Sequence, residues 1–357
     1  MRVLVLCTVH DPRDARVNER EIGALLDAGH EVTLVAPFTA FGVVPPAGMR
    51  AIDIPRSQGR RRLESLRAAR HVLRREAPRH DLIIVHSPEH LAAAAGLDGR
   101  RVVWDVHEDT AAAVGMKSWL PGPLRPSAAA AVRRAERWAE RRVRIILAED
   151  AYAERFTRPH PIVRNVPVVP DSAMPSGRGR AVYLGTLTEQ RGGDDLIEVG
   201  RILSPDVALD ILGGAHGAIA DRLAAAHARG DVAWRGYVPN AEALRSIEGA
   251  TVGLALLRDE PNYRHSMPTK LYEYLARGIP FVSTPLPLAR ELAEQSGGGI
   301  IVPFGDPAAA AAAVRELDAD DVRRRAMASA GRQWVIDHAD WRRDGPDFVR
   351  LLEGWAR

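Results

Sequence analysis

The chain has 357 residues, of which 46% are hydrophobic and 27% charged, and its formal net charge is +3. This length and balance predict a globular protein nearer two domains than one, and no nucleic-acid-binding motif accompanies the charge. A single cysteine, Cys7, excludes an internal disulfide and favours a reducing compartment. The opening apolar run is too short for a signal peptide and no stretch is long enough to span a membrane, so we expect a cytoplasmic protein.

Short β-rich apolar runs alternate with helical stretches from end to end, which predicts an α/β fold with parallel sheets. An amphipathic helix is predicted over Val17–Leu26. The strands predicted in the first half are Arg2–Cys7, Glu31–Ala36, Leu82–His86, Arg101–Val106 and Arg144–Leu147. Those predicted in the second half are Ala181–Leu184, Ala208–Leu212, Val232–Trp234, Thr251–Leu256, Pro280–Ser283 and Gly299–Val302.

A stretch rich in Pro, Ser and Gly at 170–179 predicts a linker between domains 1–169 and 170–357. Two similar α/β halves would place a cleft between them, and ligands of open α/β sheets collect at the carboxyl ends of the strands. The helical tail carries Trp334, Trp341 and Trp355, which need a surface to pack against. We therefore expect its last helix, at about 334–357, to return to the N-terminal domain.

The most informative segment is 265–280, which predicts a loop, a helix, a stop and a strand. Ser266 is expected to cap the helix, Pro268 suits its first turn, and Gly278 ends it. The start of a helix offers free N–H groups and a positive dipole, so the segment is a candidate anion site.

Lysine occurs only at Lys117 and Lys270 in a chain that otherwise uses arginine, which makes Lys270 conspicuous. Lys270 and Glu273 are three residues apart and therefore emerge on one helical face. They would supply a cation for phosphate and a carboxylate for a ribose diol. Their spacing alone also allows a solvated ion pair between the two.

The segment 268–280 resembles the donor-site helix of GT-B-type glycosyltransferases, particularly the retaining enzymes of glycosyltransferase family 4. The likeness extends over essentially the whole chain. It implies two Rossmann-like domains facing across a cleft, an N-terminal one for the acceptor and a C-terminal one for the nucleotide-sugar donor. By resemblance Glu273 binds the donor ribose. The same resemblance assigns to the donor site His265, Ser266, Met267, Pro268, Thr269 and Lys270.

The segments 183–187 and 190–193 are similar to the family loop in which two cations grip the diphosphate. Gly185, Thr186 and Arg191 would belong to this loop. Thr186 stands where the family usually has arginine and Arg191 takes the place of a lysine, so Lys270 would supply the missing charge. A merely solvated Arg191 remains an alternative.

Two further stretches fit the nucleotide-side loops of the family, namely Gly213–Gly214 and Tyr237–Val238. Glycines there would permit close approach of backbone to the nucleotide. His265 stands where the family has the first of two paired glutamates, a carboxylate that normally touches the transferred sugar. This departure leaves the identity of the sugar open.

In the N-terminal half, Asp14–Val17 resembles the family's Asp-x-Arg-Val entry. No glycine-rich phosphate cradle accompanies it, so a dinucleotide site is not expected. Arg16 would face the donor phosphate or the acceptor, or simply pair with Asp14 at the helix start.

The segment 104–109 is similar to the family's Asp-x-His-Glu sequence. By resemblance His107 lies near the reacting sugar, with Glu108 and His86 on the acceptor side. A histidine at the end of a strand can bind a sugar hydroxyl, and a histidine that only caps the core is the alternative.

The predicted activity is retaining transfer of a hexosyl group from a UDP-sugar, or a GDP-sugar, to a small-molecule, glycan or lipid-linked hydroxyl acceptor. Arg191, Lys270 and the helix start would stabilise the leaving diphosphate, and His107 completes the predicted catalytic set. By resemblance a phosphate oxygen helps to remove the acceptor's proton, without a protein nucleophile. Neither a metal nor a cofactor is expected.

Three alternatives stay open at this point: a nucleotide-sugar 2-epimerase of the same architecture, a noncatalytic nucleotide-sugar binding protein, and a pseudo-glycosyltransferase. The basic stretches Arg60–Arg79 and Arg133–Arg144 allow peripheral contact with the inner face of a membrane, or are solvated helix faces. No nucleic-acid partner is expected.

Overall fold

The computed structural model describes residues 1–111, 122–261 and 263–357; Lys117 lies outside them. The chain forms two compact units. The N-terminal unit comprises Met1–Asn165 with Arg342–Arg357, and the C-terminal unit comprises Val166–Trp341. Each unit is a six-stranded parallel sheet with flanking helices, which confirms the predicted α/β class. The last helix, Trp341–Ala356, belongs to the N-terminal unit from Arg342 onward.

The N-terminal sheet has the strand order β3-β2-β1-β4-β5-β6, which is the order of a doubly wound Rossmann sheet. Its direction of winding reverses between β1 and β4. The strands are β1 Arg2–Leu6, β2 Glu31–Ala36, β3 Arg50–Asp53, β4 Leu82–Val85, β5 Val102–Val106 and β6 Arg144–Leu147.

The helices of the N-terminal unit are Ala15–Ile22, Gly23–Asp27, Phe38–Phe41, Arg62–Glu76, Pro88–Ala93, Arg125–Glu140 and Trp341–Ala356. Short 3₁₀ turns are Gly59–Arg61, Ala77–Arg79, Gly99–Arg101, Gly122–Leu124 and Asp150–Arg155. The predicted helix Val17–Leu26 is present but begins at Ala15, and Ala15–Ile22 has the wide π-helical winding.

Strand β3 was not predicted. It is an edge strand of four residues that pairs only with β2, and none of its residues is fully buried. An edge strand needs little apolar surface, so its sequence carries neither the continuous run nor the alternation that marks a buried strand.

The C-terminal sheet has the order β12-β11-β10-β7-β8-β9, which repeats the Rossmann order and reverses its winding between β7 and β10. Its strands are β7 Arg180–Leu184, β8 Ala208–Leu212, β9 Ala233–Trp234, β10 Val252–Ala255, β11 Phe281–Ser283 and β12 Gly299–Ile301. The helices are Gly193–Leu203, Ala218–Arg229, Asn240–Ser246, Thr269–Ala276, Pro287–Ser296, Pro307–Ala319 and Asp321–His338.

Each sheet is flanked by helices, and its central strands are buried along most of their length. This explains why β1, β4 and β10 read as continuous apolar runs rather than as alternating ones. The polar and glycine-rich sequence falls at the carboxyl ends of the strands, and those ends hold the candidate sites.

Candidate functional site

The loops that follow β7, β8 and β9 are bonded to one another at the carboxyl edge of the C-terminal sheet. Gly185 N–H donates to Leu212 O at 2.8 Å, Leu187 N–H to Gly214 O at 2.8 Å, and Gly213 N–H to Gly236 O at 2.8 Å. The predicted loop residues are therefore brought together by main-chain bonds between neighbouring strand ends.

Gly213 and Gly214 have different structural reasons to be glycine. Gly213 has φ +155°, and a Cβ there would lie 2.0 Å from Gly185 O. A Cβ on Gly214 would meet no described atom within 4 Å. The first glycine is thus needed for the close approach of two loops, whereas only the second has open space beside it.

Lys270 lies at the switch point between β7 and β10. Its Nζ is buried, has no hydrogen-bond partner among the described residues, and lies 3.6 Å from the centre of the Tyr183 ring. Burial, and then the charge of Arg191, hold the pKa of Lys270 well below its usual range. A buried amine beside an arginine and without an acceptor is suited to receive an anion.

Arg191 closes the loop after β7 on itself. Its Nη1 donates to Thr186 O at 3.1 Å, and the hydroxyl of Tyr183 donates to the same oxygen at 3.1 Å. The Arg191 N–H also donates to Thr188 Oγ1 at 3.2 Å. Thr186 is thereby held through its backbone, while its own side chain is exposed.

The helix Thr269–Ala276 begins after Pro268, and no side chain caps it. The predicted cap by Ser266 is wrong, because Ser266 precedes the cap position by two residues and its N–H instead donates to Tyr263 O at 3.4 Å. Gly278, with φ +63°, follows the end of the helix as predicted. The uncapped first turn leaves main-chain amides available to a ligand.

Glu273 pairs with Arg277, one turn further along the helix, at 2.8 Å. Both side chains are buried, with 8% and 9% of their surface exposed. The alternative ion pair between Lys270 and Glu273 is not formed. The contact of Glu273 with a donor ribose stays a prediction.

The remaining predicted donor residues lie on the loops after β9 and β10, apart from Thr269, which begins the helix Thr269–Ala276. Tyr237 is 53% exposed and His265 is also exposed. Those that are half-buried are Val238, Ser266, Met267, Pro268 and Thr269. Nothing in their placement assigns them a ligand contact, so their roles stay predictions.

Two tyrosines that support this site were missed in the sequence. Tyr183 forms the floor beneath Lys270 Nζ. Tyr274 accepts from Leu184 N–H at 2.9 Å and donates to Leu254 O at 3.1 Å, so its hydroxyl joins β7 to β10. The only sequence signal was a tyrosine in an apolar run, which is typical of any core.

At the carboxyl edge of the N-terminal sheet, Asp105 is the centre of a buried cluster. Its Oδ2 accepts from Arg16 Nε at 2.8 Å, His86 Nδ1 at 3.1 Å and His107 Nδ1 at 3.0 Å, and its Oδ1 accepts from Arg16 Nη2 at 2.7 Å. Burial alone would raise the pKa of Asp105, but the charge of Arg16 outweighs it and lowers that pKa well below its usual range.

Arg16 is fully engaged inside the N-terminal unit. The alternative ion pair with Asp14 is not formed, because Asp14 caps the helix through Arg16 N–H at 3.0 Å and Val17 N–H at 3.2 Å, while the guanidinium bonds to Asp105. Glu21, on the same π-helical stretch, lies 3.2 Å from Arg16 Nε. Burial, then the charge of Asp105, raises the pKa of Glu21 well above its usual range.

The other predicted N-terminal residues differ in exposure. The His86 side chain is fully buried behind Asp105. His107 is partly exposed, and its Nε2 lies 3.3 Å from His10 Nε2. Glu108 is exposed. Asp105 and His10 were not among the predicted site residues.

The ligand atoms of His86, Asp105 and His107 lie within 4.8 Å of one another, a spacing that could hold a metal ion. However, both oxygens of Asp105 already accept hydrogen bonds from Arg16. The adjacent guanidinium charge opposes a cation at this point, so the cluster is better described as a hydrogen-bonded network.

Two family models match the chain, one to each half. "Glycosyltransferase Family 4" matches residues 15–171, and "Glycosyl transferases group 1" matches residues 178–320. No curated protein sequence matches. Both models describe glycosyltransferases, and neither supports the epimerase or noncatalytic alternatives.

Solved structures of similar fold cover nearly the whole chain. Sucrose-phosphate synthase from Thermosynechococcus elongatus superposes with a TM-score of 0.78 at 16% identity, covering 99% of this chain and 98% of that one. HepE from Anabaena, in complex with UDP and glucose, gives 0.71 at 15%, covering 99% and 100%. WaaG, a glycosyltransferase involved in lipopolysaccharide biosynthesis, gives 0.70 at 17%, covering 98% and 99%. These likenesses establish the fold.

One family model matches each half of the chain, and the sheet of each unit has the Rossmann strand order. Lys270 and His107, which the sequence analysis singled out, lie near the carboxyl ends of these strands. The chain belongs to the GT-B-fold glycosyltransferases of the family 4 type.

Proposed function

We propose that this glycosyltransferase transfers a hexosyl group with retention from a nucleotide-diphosphate sugar to a hydroxyl acceptor. A UDP-sugar is favoured over a GDP-sugar, because HepE is a structural relative whose complexes contain UDP and UDP-glucose. In this proposal the C-terminal unit binds the donor and the N-terminal unit binds the acceptor.

The observation that carries the proposal is the unpartnered Nζ of Lys270. It is buried at the switch point of the sheet, where ligands of such folds bind, and Arg191 lies close enough to lower its pKa. Two cationic groups and the start of a helix there suit a diphosphate better than a neutral ligand.

The same groups would serve the chemical step. Charge accumulates on the diphosphate as its bond to the sugar breaks, and Arg191, Lys270 and the amides that start the helix Thr269–Ala276 would stabilise it. The acceptor hydroxyl would attack the sugar on the face from which the diphosphate departs. A phosphate oxygen would help to remove the proton of that hydroxyl. No protein nucleophile is then needed.

A thermal-shift screen with UDP-, GDP-, ADP- and dTDP-sugars tests donor binding, because a ligand of the native state raises its melting temperature. We expect UDP-sugars to give the largest shift in the wild type and a reduced one in Lys270→Ala. The anomeric configuration of the product, followed by NMR, tests retention. No shift with any nucleotide sugar, or a product of inverted configuration, would overturn the corresponding part of the proposal.

We propose that the acceptor is presented at a membrane surface. Arg134, Arg137 and Arg141 are exposed on the helix Arg125–Glu140 and the turn after it, with no ion pair to a described residue. Arg142 stacks on the exposed Trp138 at 4.2 Å. These four arginines and Trp138 line a cavity of about 490 Å³. Arginine side chains can pair with the anionic headgroups of lipids, and a tryptophan among them can enter the interfacial layer below those headgroups.

Across residues 1–111, 122–261 and 263–357, every helix is too short or too polar to cross a bilayer. Contact would therefore be peripheral, and co-sedimentation with anionic and zwitterionic vesicles tests it. The triple change of Arg134, Arg137 and Arg141 to Ser should abolish anionic binding, whereas changing Arg60, Arg61 and Arg62 to Ser should not. Equal losses in the two variants would indicate general charge attraction instead of a specific face.

A further inference from the structure

We propose that His10 binds a substrate hydroxyl through its Nδ1, and that Asp105 and His107 are positioning residues that set its tautomer. The proposal rests on the proposed function for the source of the hydroxyl, which is a sugar or its acceptor. It deepens that function by naming a contact residue that neither the motifs nor the family models indicated.

Both ring nitrogens of His107 are already engaged. Nδ1 lies 3.0 Å from Asp105 Oδ2, which is an acceptor only, so Nδ1 must carry a hydrogen. Nε2 lies 3.3 Å from His10 Nε2. A ligand that bonded to either nitrogen of His107 would have to displace one of these partners.

At 3.3 Å the two Nε2 atoms are within hydrogen-bond distance, and such a bond has one proton between them, since two bare or two protonated nitrogens would repel each other. When the pair is neutral, His10 Nε2–H donates to His107 and leaves a lone pair on His10 Nδ1. When the pair holds an extra proton, His107 Nε2–H donates to His10, whose Nδ1 then carries a hydrogen. A hydroxyl group can serve either state because it both donates and accepts.

His10 Nδ1 is the free end of this relay. This atom has no hydrogen-bond partner among the described residues, and it is not fully buried. His10 follows β1, next to the switch point with β4, where ligands of open α/β sheets bind. The two imidazole rings are 5.0 Å apart, so His10 extends the chain of bonded groups by one ring beyond His107.

The surrounding charges place the extra proton on His107, the inner of the two rings. Burial and the charge of His107 lower the pKa of His10. Burial would also lower the pKa of His107, but the carboxylate of Asp105 outweighs it and raises that pKa. The other charged or titratable groups that act on the pair are Asp14, Arg16, His86 and Glu108.

The tautomers can be read from two-bond ¹H–¹⁵N NMR spectra of the whole protein, with His10→Asn and His107→Gln used to assign the signals. In the neutral pair, at the alkaline end of the titration, we expect His10 to be protonated on Nε2 and bare on Nδ1. A hydrogen on His10 Nδ1 in that state would overturn the proposal. This measurement needs no substrate, so it decides the relay even if the proposed activity is absent.

Two near-isosteric variants then distinguish the roles of the two ring nitrogens of His10. His10→Asn keeps an oxygen near the Nδ1 position, whereas His10→Gln keeps a polar group near Nε2 and therefore only the link to His107. With UDP-glucose as donor and glycerol as the hydroxyl probe, we expect the Gln variant to raise KM for the hydroxyl-bearing ligand about tenfold and the Asn variant to change it less than about threefold.

A merely structural His10 would lower the melting temperature in both variants and leave KM alone. Equal KM values for the Asn and Gln variants would therefore overturn the proposal. Absence of turnover in the wild type would count against the proposed function, and the NMR result would then stand as the test of the relay.

Discussion

Lys270 Nζ lies 3.6 Å above the ring of Tyr183, in a place where no described oxygen accepts its hydrogens. The face of an aromatic ring stabilises a desolvated cation by about 2 kcal/mol. Burial of an unpaired ammonium costs much more, and such a group usually loses its proton instead. Burial therefore favours the neutral form of the amine, and an anion bound beside it would favour the charged form.

Binding of UDP is expected to be coupled to proton uptake by Lys270. At pH 8 the terminal phosphate of UDP is already ionised, since its second pKa is about 6, so the proton must go to the protein. Calorimetry in buffers of different ionisation enthalpy should give different apparent heats for the wild type. Lys270→Arg should bind with the same heat in each buffer, because a guanidinium keeps its proton. Equal heats for the wild type with UDP bound would contradict this expectation.

Lys270 should also lower the stability of the ligand-free protein. Its folded-state pKa is depressed below the unfolded value of 10.5, so the unfolded state binds the extra proton and the free energy of unfolding rises with pH up to about that value. Lys270→Met should therefore raise the free energy of unfolding at pH 7 by roughly 1–3 kcal/mol. Urea titrations at pH 7 and pH 10 should show the gain shrinking at the higher pH. A gain that does not depend on pH would indicate improved packing alone.

Replacement of Glu273 should affect both nucleotide binding and stability. Glu273→Ala removes the proposed ribose contact and leaves Arg277 buried without its partner, so UDP affinity and the free energy of unfolding should each fall by about 1–3 kcal/mol. Arg277→Gln is the matched control, because it breaks the same ion pair and spares the ribose contact. Equal losses of UDP affinity in both variants would show that Glu273 acts only through packing.

The adjacent glycines Gly213 and Gly214 should respond differently to a methyl group. Gly213→Ala would bring a Cβ to 2.0 Å from Gly185 O at a positive φ and should cost about 2 kcal/mol or more. Gly214→Ala should stay within about 0.5 kcal/mol, because its Cβ meets open space. Thermal unfolding of the two variants checks the difference. Reduced UDP binding by a fully stable Gly214→Ala would further place the nucleotide beside this residue.

Asp105→Asn should be strongly destabilising near neutral pH. It removes the carboxylate that accepts two hydrogen bonds from the buried Arg16 and leaves only Glu21 beside that charge, at a cost of about 3–5 kcal/mol. Since the folded-state pKa of Asp105 lies well below its unfolded value of 3.8, this stabilisation is complete above that pH and is lost as the pH falls. Asp150→Asn, which breaks an exposed pair with Arg164, is the control and should cost less than about 1 kcal/mol. A similar small cost for both would refute the role given to Asp105.

The elements of this fold could be predicted closely from its sequence because each depends on local pattern. Apolar runs in β1 and β10 marked buried strands, and Gly278 marked the end of a helix. The edge strand β3 was not predicted because it is only partly buried and therefore has no clear apolar pattern. Its rarity as a residue type made Lys270 conspicuous, and the resemblance of segment 104–109 to a family sequence indicated His107.

The partners of these residues were decided only by tertiary structure. Arg16, His86 and His107 meet at Asp105 because β1, β4 and β5 are neighbours in the sheet, although long stretches of sequence separate them. In the same way, the pairing of β7 with β10 places Tyr183 beneath Lys270. A sequence by itself determines periodicity, turns and residue chemistry. Which strand ends become neighbours, and hence which charges are buried together, is set by packing over the whole unit.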